Sequence, residues 1–395
     1  MRPSHPHAHR GHPERGAVVA GPLLKAFQEN MRRKVALAVA GVGYGKDDSI
    51  PADMTFRAWC EDLAARGMKI DGKAFSLDNR QALIPIYDAV PATREQARGR
   101  IVVVQKATQL GLTVWEVLAM IYMAIKFGPV TIGMFLPDQA TAAFKSEHRF
   151  MRIVRSVPQL LRKLIYRDDG EGGEARIGEG NVLTRVMGES IFLFLWTTGK
   201  VTTESRPMDI VGLDEVQEMN LAHIDKVMAR MGDSDIGFAL LLSTANMPDL
   251  DINYWYQLGN QLVWHTECPH CHTLSDLSDP AGTFPAKSIK YERGEYHWAC
   301  PACGGTITDT QVGRYIPAEK SAEDARRLRE LRALAESEDG ETRDEDEGGG
   351  DHDHEDVEII SFLLPRTISP KITPRKMFMG WNRAKTGDQK KSFYN

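Results

Sequence analysis

The chain has 395 residues, 42% of them hydrophobic, and a formal net charge of -5. It is long enough for one large core and one or two small modules, and no apolar run approaches the ~20 residues that a membrane span requires. Five cysteines are too few for a secreted disulfide scaffold of this length. Because residues 1–16 also lack the apolar core of a signal peptide, we predict a cytoplasmic protein without a membrane partner.

The negative charge is concentrated in one segment. Residues 336–358 carry 13 acidic residues and one arginine, so the rest of the chain has a net charge of +7. Such a segment buries too little apolar area to fold and is predicted as a linker. A mildly basic body permits a nucleic-acid partner, although a solvated surface fits the same charge.

Apolar strands and amphipathic helices alternate through the middle of the chain. Strands are predicted over 101–104, 130–136, 191–196, 208–213, 238–242 and 359–364, each from a short apolar run. Helices are predicted over 114–120, 139–161, 223–231 and 318–335, with a loop rich in Gly and Glu over 168–180. This alternation predicts an α/β fold with a mostly parallel sheet that is covered on both faces.

The segment 101–120 predicts a strand, a loop and the start of a helix. Such a helix N-terminus directs backbone N–H groups and a positive dipole end at one point, which suits an anion. Gly111 and Thr113 match the last glycine and the hydroxyl of the phosphate-loop motif G-x-x-x-x-G-K-[ST], but Leu112 replaces its lysine. Lys106 occupies the position of the first glycine. Taken alone the match is weak, and an ordinary turn between a strand and a helix is the commoner explanation.

Polar residues end two further strands. Asp214 and Glu215 follow the strand 208–213, which places two carboxylates at the carboxyl edge of the sheet, where doubly wound folds bind ligands. In nucleotide hydrolases the aspartate holds Mg²⁺ and a neighbour, here Glu215, orients the attacking water; two solvated acids are the alternative. Ser243 and Thr244 end the strand 238–242, as in elements that couple hydrolysis to movement in helicase-like motors. With a phosphate-loop candidate upstream, the acid pair favours nucleotide chemistry.

Two C-x-x-C pairs form the strongest local signal. They consist of Cys268, Cys271, Cys300 and Cys303, with 28 residues between the pairs. In a cytosolic chain, four such thiolates close tetrahedrally on Zn²⁺, and an all-thiolate site of this kind is structural rather than catalytic. His270 and His272 are competing ligands, but four thiolates already fill the coordination sphere.

Together these stretches resemble the large terminase subunit of tailed phages in its lambda-type class, the motor that packages DNA into a preformed capsid. The similarity extends over residues 74–395, and in that class the phosphate loop carries its lysine at the start, as Lys106 does here. A long lysine stem reaches the phosphates from either end of the loop. The segment 75–88 resembles the adenine-side motif of the family, in which Tyr87 or Phe75 would stack the base, although either residue fits a core position equally well.

The resemblance implies a P-loop NTPase of the additional-strand type that uses ATP and Mg²⁺, with an inserted structural Zn²⁺ ribbon and a helical N-terminal region. The implied nucleotide-binding residues are Lys106, Gln109, Gly111, Thr113, Thr244, Tyr87 and Phe75, the implied Mg²⁺ ligands are Thr113 and Asp214, and the implied catalytic residues are Lys106, Asp214 and Glu215. Thr244 would transmit the result of hydrolysis. Related loops often carry an arginine beside the lysine; since this loop does not, an arginine finger has Arg152, Arg155 and Arg206 as candidates.

These features divide the chain into six predicted parts. They are a disordered tail at 1–22, a helical N-terminal region at 23–72, the ATPase core at 73–260, the zinc-ribbon insert at 261–317, a charged helix and acidic linker at 318–358, and a last strand with a basic connector at 359–395. Complete large terminases continue into a nuclease that uses clustered carboxylates and metal ions. Because Asp388 is the one acidic residue after Glu358, we expect that this chain does not cut DNA and that the nuclease is a separate chain or lost.

The predicted function is therefore ATP-driven translocation of double-stranded DNA into a procapsid, in the host cytoplasm. The implied partners are double-stranded DNA, a small terminase subunit, a separate nuclease chain, and a portal ring on which the chain forms a homo-oligomer. Two other functions stay open. One is a helicase-like remodelling ATPase, which shares the three ATPase stretches. The other is a degenerate, non-hydrolysing scaffold that binds DNA or a partner, which the leucine at position 112 favours.

Overall fold

A computed structural model describes residues 49–108, 110–168, 173–198, 206–246, 249–278, 284–318 and 358–384. The tail predicted at 1–22 lies outside these residues, and so does the part of the helical N-terminal region before residue 49. The helix predicted at 318–335 and the acidic linker also lie outside them, apart from their terminal residues. Gln109 is likewise not among the described residues.

The protein is a mixed α/β structure with a mostly parallel central sheet, as the alternation of apolar segments predicts. Its strands are β1 Lys69–Ile70, β2 Lys73–Ala74, β3 Ile101–Lys106, β4 Thr131–Leu136, β5 Tyr166–Asp168, β6 Glu174–Arg176, β7 Thr184–Met187, β8 Ser190–Trp196, β9 Ile210–Asp214, β10 Phe238–Ser243, β11 Leu262–Glu267, β12 Leu274–Ser275, β13 Ile289–Glu292, β14 Glu295–Ala299, β15 Thr306–Ile307, β16 Gly313–Pro317 and β17 Ile359–Leu364. The central sheet has the order β12-β11-β17-β3-β10-β9-β4-β8-β7, with β16 paired to β11. From β11 to β8 all neighbours are parallel, whereas β7, β12 and β16 pair antiparallel.

Helices cover both faces of this sheet. The α-helices are α1 Phe56–Ala65, α2 Ile84–Asp88, α3 Arg94–Ala97, α4 Leu112–Phe127, α5 Gln139–Lys145, α6 Met151–Ser156, α7 Pro158–Ile165, α8 Leu221–Met228, α9 Asp251–Leu258 and α10 Pro374–Arg383. Alternate residues of β3, β9 and β10 pack with α8 and α9 in one apolar cluster. The helix α4 packs on the opposite face, against β9 and β10. Because the central strands are parallel, the ends of β3, β9 and β10 meet at one edge.

The single helix predicted over 139–161 is wrong. The segment consists of α5, a π-helical stretch at Ser146–Phe150, and then α6 and α7. At Val157 the backbone is extended, with φ -122° and ψ 106°, because the ring of Pro158 disfavours a helical conformation in the residue before it. The loop predicted over 168–180 likewise contains β6, which pairs with β5.

No helix among the described residues combines the length and the apolar character that crossing a membrane requires.

Candidate functional site

The loop after β3 is held from one side by an arginine. Gly111 caps α4 in the left-handed region at φ +87°, a conformation that costs glycine little and other residues about 1–2 kcal/mol. Arg80 Nη1 donates a hydrogen bond of 2.9 Å to the carbonyl oxygen of Leu110. A Cβ atom on Gly111 would lie 2.7 Å from the same Nη1. The loop therefore favours glycine at 111 because of its left-handed conformation, and a side chain there would also displace the end of Arg80.

Leu112, which stands where the phosphate-loop motif has its lysine, is buried in the protein interior. Leu112 is 1% exposed and belongs to the core. Thr113 is partly exposed in the first turn of α4, and Lys106 is partly exposed at the end of β3. Of these three residues, Lys106 brings a positive charge to the edge of the sheet, whereas Leu112 contributes packing.

The acid pair follows β9 at the same edge. Asp214 is 5% exposed, and its Oδ1 accepts a 3.0 Å hydrogen bond from the N–H of Glu215. Glu215 lies in the left-handed region at φ +63°, and its N–H also donates to the Leu242 carbonyl at 3.0 Å. A residue with a Cβ atom in this region is strained by about 1–2 kcal/mol, and such strain clusters at functional sites.

A buried lysine joins the acid pair to α4. The Lys145 ammonium, at the end of α5, lies 2.9 Å from Asp214 Oδ2 and forms a second ion pair with Glu116 Oε2 of α4. Glu116 is 0% and Lys145 3% exposed. Burial lowers the pKa of Lys145, but the two carboxylates outweigh it and raise the pKa above its ordinary value. The site therefore contains a positive charge that is fixed inside the protein.

Lys106 and the acid pair share one electrostatic environment. Burial raises the pKa of Glu116, and the positive charges of Lys145 and Lys106 oppose that rise. Burial and the charge of Asp214 raise the pKa of Glu215 in the same way, again against Lys106 and Lys145. The charge of Lys106, at the end of β3, therefore acts on Glu215, at the end of β9.

The aromatic residues proposed for the adenine base lie in different surroundings. Tyr87 is 2% exposed, and its ring stacks on Phe56 with the centroids 5.3 Å apart and the planes 16° from parallel. Phe75 is partly exposed and lies 6.2 Å from the Tyr87 ring. The structure therefore supports the core alternative for Tyr87, because the protein already covers its ring.

The end of β10 contacts the segment after the acid pair through a serine. The N–H of Gln217 donates a 3.1 Å hydrogen bond to Ser243 Oγ, and the Ser243 hydroxyl donates back to Gln217 Oε1. Ser243 is fully buried, whereas Thr244 is partly exposed in the loop that follows. The contact between the end of β10 and the segment after β9 is therefore made by Ser243, the residue before Thr244.

The arginines considered as fingers lie on the surface. Arg152 Nη1 is 3.1 Å from Asp71 Oδ1, and Arg155 Nη2 is 2.6 Å from Glu179 Oε2. Arg206 is exposed at the start of the segment before β9. In this arrangement Arg152 and Arg155 pair with carboxylates outside the acid pair.

The four cysteines converge on one point. Their sulfur atoms all lie within 4.8 Å of one another, with 3.7 Å between Cys268 and Cys303 and 3.7 Å between Cys271 and Cys300. Four thiolates bound to Zn²⁺ at 2.3 Å have sulfur atoms about 3.8 Å apart. The cluster therefore fits a tetrahedral Zn²⁺ site, in which all four cysteines would be ligands.

The two neighbouring histidines are engaged elsewhere. His270 Nε2 lies 3.1 Å from the carbonyl oxygen of Thr306, and His272 Nδ1 lies 2.9 Å from Glu267 Oε1. Backbone N–H groups donate to the sulfurs instead: that of His270 to Cys268 at 3.4 Å and that of Gly305 to Cys303 at 3.4 Å. The four-thiolate ligand set thus has no competitor in the imidazole rings.

The module that carries the cysteines is connected to both the core and α10. Beneath the cluster, an apolar group of Cys268, Leu277, Phe284, Ile289, Trp298, Cys300 and Ile307 packs with Met377 of α10. At its base, Gln311 Oε1 accepts the N–H of Ala82 at 3.1 Å, and Gln311 Nε2 donates to the carbonyl oxygen of Ile368. One buried side chain therefore links the module to the segment just after Arg80.

Comparison with known proteins identifies the family. The family model described as phage terminase large subunit gpA, ATPase domain, matches residues 80–319, more than half of the chain. The chain belongs to this family. The search of curated proteins finds no match.

Two solved structures similar to this terminase ATPase domain come from Thermus phage P74-26. They are the large terminase ATPase domain and a point mutant of it, with 16% and 14% sequence identity and TM-scores of 0.30 and 0.32. Each match covers 44% of this chain and 71% of the other. Membership of the family rests on the family model alone.

Sequence patterns missed three residues that the structure of the terminase ATPase domain places at the edge of the sheet. Arg80 lies in the segment 75–88, which was interpreted as the adenine-side motif because of its aromatic residues Phe75 and Tyr87. Glu116 and Lys145 have the spacing of ordinary polar residues on amphipathic helices. One signal was available: Glu116 and Lys126 are the charged residues of the otherwise largely apolar α4, and a charge in such a helix requires a partner.

Proposed function

We propose that this terminase ATPase domain hydrolyses ATP and couples the hydrolysis to the movement of double-stranded DNA into a procapsid. The observation that supports the proposal most directly is the position of Lys106 and the pair Asp214 and Glu215 at one edge of the sheet. Their strands, β3 and β9, are separated by the single strand β10, the arrangement expected of an additional-strand P-loop ATPase. Membership of the family supports the same function.

The loop after β3 is proposed to bind the phosphates of ATP. Lys106 would supply positive charge, and the backbone N–H groups at the N-terminus of α4 would add hydrogen bonds. The hydroxyl of Thr113 and the carboxylate of Asp214 are oxygen donors of the kind that Mg²⁺ prefers. Bound with ATP, Mg²⁺ would neutralise the charge that develops on the phosphates. Gln109 and Phe75 stay proposed nucleotide contacts.

Glu215 is proposed to orient the attacking water. Its side chain is more exposed than that of Asp214, so it is accessible to a water molecule, while Asp214 is held inside the protein by Lys145. Together these side chains would act by positioning and charge neutralisation, which supply most of the catalysis in phosphoryl transfer.

Movement is proposed to begin at the end of β10. Thr244, next to the contact between Ser243 and Gln217, would transmit the state of the nucleotide to the rest of the chain. Contacts to the DNA backbone are independent of sequence and suit a motor. The exposed basic residues around α10 that could make such contacts are Lys371, Arg375, Lys376 and Arg383. The proposed partners are DNA, a small terminase subunit and a portal ring, with several copies of the chain on the ring.

The four-cysteine module is proposed to be a zinc ribbon with a structural role. The sulfur spacing fits Zn²⁺, and four thiolates leave no open coordination position for a substrate. Zn²⁺ would hold together the two loops that carry the cysteine pairs, above the apolar group that packs on α10.

The proposed function is tested by DNA-stimulated ATP hydrolysis in the wild type and in Glu215→Gln. The wild type is expected to hydrolyse ATP faster when double-stranded DNA is added. The variant should lose activity by roughly 10²–10⁴-fold, the range for removal of a group that positions or accepts a proton, while its affinity for ATP stays unchanged. Titration with a fluorescent ATP analogue measures that affinity independently of turnover.

Glu218→Gln is the matched control, because Glu218 is an exposed glutamate three residues further along the same segment. It is expected to keep the wild-type rate. Normal turnover by Glu215→Gln would show that Glu215 is not the water-orienting residue. A wild type that binds no ATP would instead favour the non-hydrolysing scaffold, and strand displacement without a capsid would favour the helicase-like ATPase.

A further inference from the structure

The orientation of the Asp214 carboxylate is set from two sides by the protein. Its Oδ2 accepts a hydrogen bond of 2.9 Å from the Lys145 ammonium, and its Oδ1 accepts one of 3.0 Å from the N–H of Glu215. The same ammonium also contacts Glu116 Oε2. Among the described residues, the other oxygen of Glu116 has no hydrogen-bond partner although it is buried. Glu116, Lys145 and Asp214 thus form a row of buried charges, and the contacts within it fix the position of the Asp214 carboxylate.

The neighbouring backbone makes room for this row of charges. Gly212 precedes the acid pair in β9, and a Cβ atom there would lie 2.9 Å from Glu116 Oε1 and 2.7 Å from Met120 Cε. Glycine at this position thus lets the Glu116 carboxylate lie directly against the strand. Glu116 follows Thr113 by three positions in α4, so the two side chains project from the same side of that helix. The row therefore connects the helix that starts at the phosphate loop with the strand that ends in the acid pair.

We propose that Lys145 is a positioning residue that fixes the Asp214 carboxylate relative to α4, with Glu116 as its anchor. The inference rests on the proposed function, because it assumes that Asp214 is a Mg²⁺ ligand. Lys145 touches neither nucleotide nor water in this role. It sets the distance between the acid pair and the first turn of α4, where Thr113 lies, so that both groups reach the same ligand without rearrangement.

A row of buried ion pairs also serves stability, and single substitutions do not separate the two roles. Removing one partner leaves an uncompensated charge inside the protein, which is strongly destabilising. The double variant Lys145→Met with Glu116→Gln removes one positive and one negative charge. The net charge of the three groups stays the same, and Asp214 keeps its own carboxylate. A changed response to Mg²⁺ per folded molecule then reports the loss of the contact that holds Asp214 rather than a change in the net charge of the three groups.

The test compares the wild type with the double variant in three measurements: melting temperature, affinity for a fluorescent ATP analogue with and without Mg²⁺, and hydrolysis rate at saturating ATP. We expect the affinity without Mg²⁺ to stay within about two-fold and hydrolysis to fall on the order of 100-fold, the effect of misplacing a reacting group by about 1 Å. The increase in affinity that Mg²⁺ produces in the wild type should be largely lost.

Lys126→Met is the control, because Lys126 lies in α4, the helix that carries Glu116, and its ammonium donates a 2.9 Å hydrogen bond to the carbonyl oxygen of Ala52. It should keep the wild-type response to Mg²⁺. A double variant with the wild-type Mg²⁺ response and the wild-type rate per folded molecule would overturn the proposal.

If the double variant does not fold, Lys145→Arg decides the question. A guanidinium is larger than an ammonium and pairs with carboxylates through a planar fork, so it should displace the Asp214 carboxylate. Hydrolysis should then fall at least about ten-fold, and an unchanged rate would overturn the proposal. A wild type without Mg²⁺-dependent ATP binding would mean that the proposed function itself fails. That outcome is recognised before any variant is compared.

Discussion

The cysteines of the four-cysteine module and the charged groups at the carboxyl edge of the central sheet differ in how completely the protein satisfies them. In the module, the sulfurs face one another at 3.7 Å and receive backbone N–H groups, and the histidines bind elsewhere. At the edge, Glu116 keeps a buried oxygen without a partner among the described residues. Glu215 there has a left-handed backbone at φ +63°.

This difference indicates that the four-cysteine module serves stability, whereas the edge of the sheet is suited to binding a ligand. An unsatisfied buried polar atom costs about 1–3 kcal/mol, and a strained residue costs a similar amount. The module carries such costs too, since His272 beside Cys271 has φ +55° and the buried Ser288 Oγ has no partner among the described residues. Its four sulfurs, however, face one another, so its expected contribution is structural. The edge carries both beside Asp214, where the proposed function needs groups that are held ready for ATP and Mg²⁺.

The largest expected effect comes from removing one of the four cysteines of the module. Cys300→Ser should reduce the zinc content from about one per chain to near zero, because three thiolates no longer complete the tetrahedral site. Since metal binding and folding of such modules are linked, the module should lose its protection from hydrogen exchange. Elemental analysis and exchange measured by mass spectrometry check both expectations.

Cys60→Ala is the control for the loss of a buried thiol. Cys60 lies in α1, away from the four-cysteine cluster, and is fully buried. This variant should keep its zinc even if its melting temperature falls. Wild-type protein that contains no zinc, after purification without chelators, would remove the zinc ribbon from the proposed function and with it the contrast between the two regions.

The next effect distinguishes charge from packing at the phosphate loop. Lys106→Ala should weaken ATP binding by roughly 10–100-fold, since hydrogen bonds to a charged group are worth about 1.5–3 kcal/mol. Leu112→Ala should leave ATP affinity nearly unchanged and lower the free energy of unfolding by about 2–5 kcal/mol, as expected for a leucine removed from a core. Nucleotide titration and denaturant unfolding of both variants give the comparison. The reverse order of affinities would show that Lys106 does not replace the missing loop lysine.

The same contrast explains what the sequence could predict. Apolar runs identify buried strands because a parallel sheet buries both faces of its strands, and β17 lies over 359–364 as expected. The cysteine pairs were visible because a ligand set of four thiolates has a characteristic spacing. Lys106 and Asp214 could be named because they end strands that meet at one edge.

Other features depend on contacts between residues that are distant in the chain. The sequence does not show that Lys145 is buried between two carboxylates, because its partner Glu116 precedes it by 29 residues and Asp214 follows it by 69. Tyr87 was a candidate for the base because the pattern does not show that Phe56 covers its ring. The helix predicted over 139–161 was too long, since amphipathic spacing continues through the break before Pro158.

The smallest expected effect concerns the link between the two regions. Gln311 is 8% exposed. Its side-chain amide accepts a hydrogen bond from the N–H of Ala82 and donates one to the carbonyl oxygen of Ile368. Gln311→Met keeps the size of the side chain but leaves both backbone groups without this partner. We expect the amide of Ala82 to exchange faster with solvent and the melting temperature to fall, because each unsatisfied buried group costs about 1–3 kcal/mol.

Gln96→Met is the matched control, because Gln96 also accepts a backbone N–H, that of Ala92 at 2.9 Å, but at an exposed position. Water replaces the lost bond there, so the melting temperature of this variant should stay close to that of the wild type.

Gln311→Met should also weaken ATP binding, because Arg80, two residues before Ala82, contacts the phosphate loop. The effect should be no more than about three-fold, since a lost indirect contact is worth less than ~1 kcal/mol. Unchanged exchange at Ala82 would mean that Gln311 does not couple the module to the edge of the sheet; the Tyr315 hydroxyl, which donates to the Ala82 carbonyl at 2.9 Å, contacts the same residue. The edge of the sheet would then hold Asp214 in place through Lys145 and the N–H of Glu215, without help from Gln311.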